Sequence, residues 1–435
     1  MTLQENTPRF IYLYIHLLSL HNPSRFATTD ILIMILRSII YFTLAICATS
    51  LPTRSLVYNN NRTISQSLFN SLEELARIVD ISYCVGSTGI QPPFKCLSRC
   101  SEFPGFELVT TWNTGPLLSD SCGYIVISHP PHPKRIIVAF RGTYSIVNTI
   151  ADLSTTPSEY LPFPSDNDNE SICTSAVEVN SQASIHYVPQ LLSQPSKRSN
   201  TPEPAECANC TVHAGFLTSW RNTRCTIIPH VETALNEHPN YQLVLVGHSL
   251  GGAVAALAAL EFQGRGWTPQ VTTFGEPRLG NQALNLYMDK QFGLTNTSVP
   301  LEDALYRRVT HVDDPVPLLP LEEWGYRMHA GEVFISKPTL APSKEDVMHC
   351  AGDEDVRCIQ GNGATSTSTE DFAEMSEDIV REQGMWTIPP RYKLWELFFA
   401  HRDYFWRLGL CVPGGDPWNW KHGKYGSASD EGTMR

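Results

Sequence analysis

The stretch Val244-Leu245-Val246-Gly247-His248-Ser249-Leu250-Gly251-Gly252-Ala253 constrains this chain more than any other. It reads as a buried β-strand, a sharp Gly-x-Ser-x-Gly turn, and a helical run of small residues over 253–260. A serine in that context sits on a strained strand-to-helix turn, which pushes its hydroxyl out at the C-terminal end of the strand. Gly247 and Gly251 flank Ser249 because side chains there would collide with neighbouring backbone. The Leu250 amide falls at the helix N-terminus and faces any oxyanion that forms at Ser249.

An activated serine needs a base, and the base needs an orienting carboxylate. After an elbow of this kind the chain order is serine, acid, histidine. Residues 308–317 supply a short strand ending in Asp313 and Asp314, halted by Pro315 and Pro317. Asp314 precedes a proline, which holds it in an extended or turn conformation. Either aspartate could simply cap a turn, and Asp314 is the favoured acid. Four histidines follow: His329, His349, His401 and His422. His422 lies in a polar tail, His349 beside Cys350 in an acidic loop, and His329 close behind the aspartates. His401 lies in the aromatic run 397–406, which would pack a loop against the core, and is the best candidate base. His248 reads as a packing residue pointing away from the serine. A second oxyanion donor should follow an earlier strand, and the β-rich run 136–140 leads into Arg141-Gly142-Thr143. Thr143 offers an amide and a hydroxyl, and one well-placed donor contributes about 2.7–4 kcal/mol to the transition state.

At these residues the chain resembles the fungal class 3 lipase family, which includes secreted triacylglycerol lipases and feruloyl esterases. The matching pieces are Phe140-Arg141-Gly142-Thr143, Val212-His213-Ala214-Gly215-Phe216, Gly247-His248-Ser249-Leu250-Gly251-Gly252, Thr273-Phe274-Gly275-Glu276-Pro277-Arg278-Leu279-Gly280-Asn281, Asp314-Pro315-Val316-Pro317, His329-Ala330-Gly331-Glu332 and His401-Arg402-Asp403-Tyr404-Phe405. They come in the family's order and cover residues 75–412. The resemblance implies an α/β-hydrolase fold: a central, mostly parallel sheet flanked by helices, with a short lid helix. It implies a triad of Ser249, Asp314 and His401, an oxyanion hole of Thr143 and Leu250, and no metal or cofactor. The family's lid maps onto 144–153. There Ile146, Val147, Ile150 and Leu153 recur at helical spacing, fitting either a mobile lid or a helix packed permanently on the core. The resemblance also implies disulfides Cys84–Cys411, Cys96–Cys100, Cys207–Cys210 and Cys350–Cys358. Cys122, Cys173 and Cys225 are left unassigned, with one free thiol among the 11 cysteines after Ser50. The function expected is hydrolysis of lipid carboxylic esters, of the triacylglycerol lipase type, on an ester substrate that could lie at an oil–water interface. The alternatives are a feruloyl or other soluble-ester esterase, a phospholipase, and an inactive binding protein on the same scaffold.

The formal charge of −12 and the lack of a basic patch exclude nucleic acid as a partner and favour neutral substrates. Nothing in the chain marks an obligate protein partner. Residues 1–50 read as an extension plus a signal peptide starting at Met34, with Ala48-Thr49-Ser50 as the small-residue cleavage site. The alternative is a membrane anchor over 31–48, for which the length is marginal and Arg37 unfavourable. Cysteine usage and sequons at Asn61, Asn169, Asn209 and Asn296 accord with secretion. The hydrolase domain spans 51–412 in one unit, since 42% hydrophobic residues can bury a sizeable core. An N-terminal amphipathic helix is expected over 71–83. Polar insertions near 157–209 and 341–384 read as surface loops, and 413–435 as a polar tail.

Overall fold

The computed structural model describes residues 62–115, 120–143, 157–163, 207–295, 301–363, 400–413 and 415–417. The N-terminal extension, the lid segment with Ile146, Val147 and Ile150, most of the first insertion, the second half of the other and most of the tail lie outside them.

Eight strands form one sheet: β1 (Phe106–Asn113), β2 (Cys122–Ser128), β3 (Arg135–Arg141), β6 (Gln242–His248), β7 (Gln270–Phe274), β8 (Tyr306–His311), β9 (Glu332–Ile335) and β10 (Val347–His349), in that spatial order. Pairing is parallel from β3 through β6, β7 and β8 to β9, and antiparallel at both edges. A separate two-stranded ribbon joins β4 (Pro157–Glu159) to β5 (Thr211–His213). Such a sheet is buried on both faces, and its strands read as continuous apolar runs.

The alternation of side chains along each strand divides the core in two. Ile136, Val138 and Phe140 of β3, with Leu243 and Leu245 of β6, pack with α2 (Ala214–Glu237), α3 (Leu250–Gly264) and α4 (Gln282–Phe292). Ile137 and Ala139, with Val244 and Val246, face α1 (Gln66–Ile81) and the aromatic segment Tyr404-Phe405-Trp406. Helix α3 is buried all round from Leu250 to Phe262, which explains its alanine-rich sequence.

Two expectations are corrected. Helix α1 begins at Gln66, five residues ahead of the expected start, because the Ser65 hydroxyl caps it by accepting from the Leu68 N–H at 3.1 Å. Its buried face therefore already includes Leu68 and Phe69. The second insertion is not wholly surface loop. Val347–His349 pairs with β9 as edge strand β10, and Cys350 is disulfide-bonded to Cys358 just before the short helix α5 (Ile359–Gly363).

Candidate active site

Strand β6 ends at His248 and α3 begins at Leu250, so Ser249 alone makes the turn between them. Its φ of 58° and ψ of −130° are a conformation that L side chains rarely adopt, at a cost of about 1–3 kcal/mol. The surroundings enforce it. The Ser249 N–H donates to the Phe274 carbonyl at 2.9 Å. A Cβ at Gly247 would lie 2.2 Å from the Gly251 carbonyl oxygen, and one at Gly251 would lie 2.5 Å from that of Phe140. Leu250 opens the helix, where the first N–H groups have no intrahelical acceptor. Thr143 ends the described part of the loop after β3. At its neighbour Gly142 a Cβ would come within 2.8 Å of the Ser249 Cβ, so this loop abuts the serine.

Asp314 directly follows the two-residue turn after β8, between the His311 carbonyl, which takes its N–H at 3.0 Å, and Pro315. Asp313 beside it is exposed, whereas Asp314 is 1% exposed. The Asp314 carboxylate accepts from His401 Nδ1–H at 2.9 and 3.0 Å, from the Val316 N–H at 2.9 Å, and from the Tyr404 hydroxyl. Burial alone would push this carboxyl up. His401 and the hydrogen bonds from His401, Tyr404 and Val316 outweigh burial and hold it below the usual carboxylate range. Burial and the Asp314 charge in turn push the Tyr404 hydroxyl well up, so it remains a donor.

His401 is fully buried, 87 residues after Asp314. The segment that carries it is tied down at several points. The Leu408 N–H donates to the Arg402 carbonyl at 2.8 Å, Arg407 forms a two-armed pair with Asp403 at 2.6 Å, and the Gly409 N–H donates to Asp80 at 2.8 Å. Cys411 is bonded to Cys84 just beyond α1. Gly275, at φ +60°, leaves room for the pair: a Cβ there would be 2.8 Å from His401 Cε1 and 2.9 Å from Asp314 Oδ2. With Nδ1 engaged, His401 Nε2 is buried and has no hydrogen-bond partner among the described residues.

His248 is more than a packing residue. Its ring stacks on that of His401, with centroids 4.7 Å apart and planes at 30°. Its Nε2 lies 2.8 Å from the His401 carbonyl and its Nδ1 lies 2.5 Å from the Tyr83 hydroxyl. Burial, reinforced by the nearby His401, pulls its pKa down to about 3, so the ring is neutral. Tyr404, Gly275 and Tyr83 are further residues that the reading of the sequence did not single out. Tyr404 alone carried a signal, three positions after His401 in the same aromatic run.

Of the other histidines, His329 binds Glu276 and the Ala330 carbonyl, His349 is on edge strand β10, and His422 lies outside the described residues. The bonds Cys96–Cys100, Cys207–Cys210 and Cys350–Cys358 are present beside Cys84–Cys411. Cys122 is a buried free thiol, and Cys225 is disulfide-bonded. The one grouping among the described residues with metal-ligand geometry is Glu332, Cys350 and Cys358, and it contains the two halves of a disulfide.

The family profile for lipases of class 3 matches residues 137–324. The secreted mono- and diacylglycerol lipase 2 of Gibberella zeae is 47% identical over 385 residues, covering 83% of this chain and 86% of that protein. Lipase A of Sodiomyces alcalophilus is 49% identical over 382 residues, covering 82% and 86%. Among solved structures, the Lip2 lipase of Yarrowia lipolytica superposes with a TM-score of 0.60 at 28% identity, over 80% of this chain and 97% of that one. Nearly half of the aligned residues are identical in the Gibberella and Sodiomyces lipases along more than four-fifths of the chain, and the chain belongs to the fungal class 3 lipase family of carboxylic ester hydrolases.

Proposed function

We propose that this protein hydrolyses neutral acylglycerols with Ser249 as nucleophile, His401 as general base and Asp314 as the carboxylate that orients it. The observation that carries this reading is a ring nitrogen, His401 Nε2, with no partner among the described residues, on a histidine whose other nitrogen is held by a buried aspartate. Ser249 Oγ attacks the ester carbonyl as Nε2 takes its proton. The Thr143 and Leu250 amides receive the oxyanion, and Asp314 stabilises the imidazolium. The tetrahedral intermediate collapses as the leaving alcohol takes the proton from Nε2. Water, deprotonated by the same nitrogen, then cleaves the acyl-enzyme and restores Ser249. Residues of this chain suffice for every step.

The name of the Gibberella relative puts mono- and diacylglycerols first among substrates to try, ahead of triacylglycerols. Secretion fits that relative's name and the disulfides, and no described helix is long and apolar enough to cross a membrane. The test is the initial rate on mono-, di- and triacylglycerols of one acyl chain, carried through each solubility limit, with Ser249→Ala as control. The reading expects acylglycerol hydrolysis that falls about 10⁶-fold in the variant. Activity confined to soluble aryl esters, or unaffected by the substitution, would overturn it.

A further inference from the structure

We propose that Tyr83 and His248 are positioning residues that hold the oxyanion loop and His401 in a single register. The proposal rests on the triad reading above. A carbonyl oxygen can only accept, so the proton between His248 and the His401 carbonyl belongs to His248 Nε2. The ring is neutral, so Nδ1 is a lone pair and takes the Tyr83 hydroxyl proton at 2.5 Å. The Tyr83 hydroxyl also packs against Gly142. A directed pair of hydrogen bonds thus runs from Tyr83, packed against Gly142 next to Thr143, through His248 to the backbone of His401.

Every link in it is buried: Tyr83 is 3% exposed, His248 2% and His401 0%. Gly142 has no spare room, since a Cβ there would lie 2.7 Å from the Tyr83 hydroxyl and 2.8 Å from the His248 carbonyl oxygen. Both ends are braced from the same side. Arg141 donates to the Val85 carbonyl at 2.8 Å, two residues past Tyr83, and Cys84 is bonded to Cys411, ten residues past His401. The reaction places negative charge at the oxyanion loop and positive charge on His401 together, so the distance between these groups matters in the transition state. The pair fixes that distance without offering a group to the reacting atoms. Its loss should therefore lower kcat and leave KM alone.

Tyr83→Phe removes the linking hydroxyl without changing the ring. On a soluble short-chain ester we expect kcat to fall about tenfold to a hundredfold, as for small misplacements of reacting groups, with KM within about twofold of wild type. Tyr124→Phe is the control for a lost buried hydroxyl. Its OH donates to the Ile78 carbonyl at 2.7 Å, away from the site, so it should lower Tm and leave kcat unchanged. His248→Gln and His248→Asn give a second arm should Tyr83→Phe fail to accumulate. The glutamine amide reaches the position of Nε2 and can still donate to the His401 carbonyl, whereas the asparagine amide cannot. We expect Gln to retain kcat at least about tenfold better than Asn. A Tyr83→Phe enzyme with wild-type kcat, a Tyr124→Phe enzyme with an equal loss, or equal kcat for the Gln and Asn variants would overturn the proposal. None of these outcomes would touch the triad itself, which the Ser249→Ala control tests separately.

Discussion

Asp314 and Glu276 each hold a histidine ring and a tyrosine hydroxyl in the interior of the same sheet, yet only one of the two clusters is open to chemistry. Asp314 accepts from His401 and Tyr404. Glu276 accepts from His329 Nε2 at 3.0 Å and from Tyr306 at 2.6 Å, and also from the Thr273 hydroxyl at 2.6 Å. The difference lies in the second ring nitrogen. His329 Nδ1 is taken by the Ala330 carbonyl at 2.8 Å, so both nitrogens are engaged and the cluster is closed. His401 Nε2 is left without a partner among the described residues. A carboxylate, an imidazole and a phenol are therefore not a catalytic site by inventory. What makes one is a single nitrogen kept from its own backbone.

The comparison is sharpest at the carboxylates. Asp314→Asn should cut kcat on a soluble ester by about 10⁴-fold, because an amide in that place favours the wrong imidazole tautomer. Glu276→Gln should leave kcat within about threefold while lowering the unfolding free energy by about 3–5 kcal/mol, the usual effect of removing one member of a buried pair. Denaturant melts and steady-state kinetics on both variants would check this. A Glu276→Gln enzyme that stays folded but loses activity like Asp314→Asn would erase the distinction.

A smaller effect is expected in the pH dependence of stability. The native Asp314 carboxyl is held below its unfolded value, near 3.9, so its contribution is complete above that pH. It is lost as pH falls through the lower native value, where the unfolded chain binds the proton more readily. Tm of the wild type should thus drop more steeply with acid below pH ~4 than Tm of Asp314→Asn. Superimposable acid limbs would mean that the Asp314–His401 pair adds nothing to the native fold.

The turn that carries Ser249, the proposed nucleophile, was legible in the sequence because its constraint is local. Two glycines, a strand before and a helix after specify the turn within ten residues, and the backbone contacts at Gly247 and Gly251 are the steric reason. The continuous apolar runs of β3 and β6 were legible for a similar reason, since each face of the strand meets its own half of the core. Asp314 was favoured over Asp313 by the family resemblance, and burial, which the β8 turn decides, separates the two in the structure. The Tyr404 bond to Asp314, the closure of His329 on Glu276 and the contact of His248 with His401 were not legible. Each joins elements that are brought together by the strand order rather than by spacing along the chain. His248 is the instructive case. Its place beside Ser249 on alternating backbone does turn it from that serine, but the same direction points it at the backbone of His401.

The most direct test of the account is covalent labelling by an alkyl phosphonate, mapped by peptide mass spectrometry in the wild type and in His401→Ala and His329→Gln. One adduct is expected, on Ser249, at similar rates in wild type and His329→Gln and essentially none in His401→Ala. Labelling of His401→Ala at the wild-type rate, or loss of labelling in a folded His329→Gln enzyme, would contradict it.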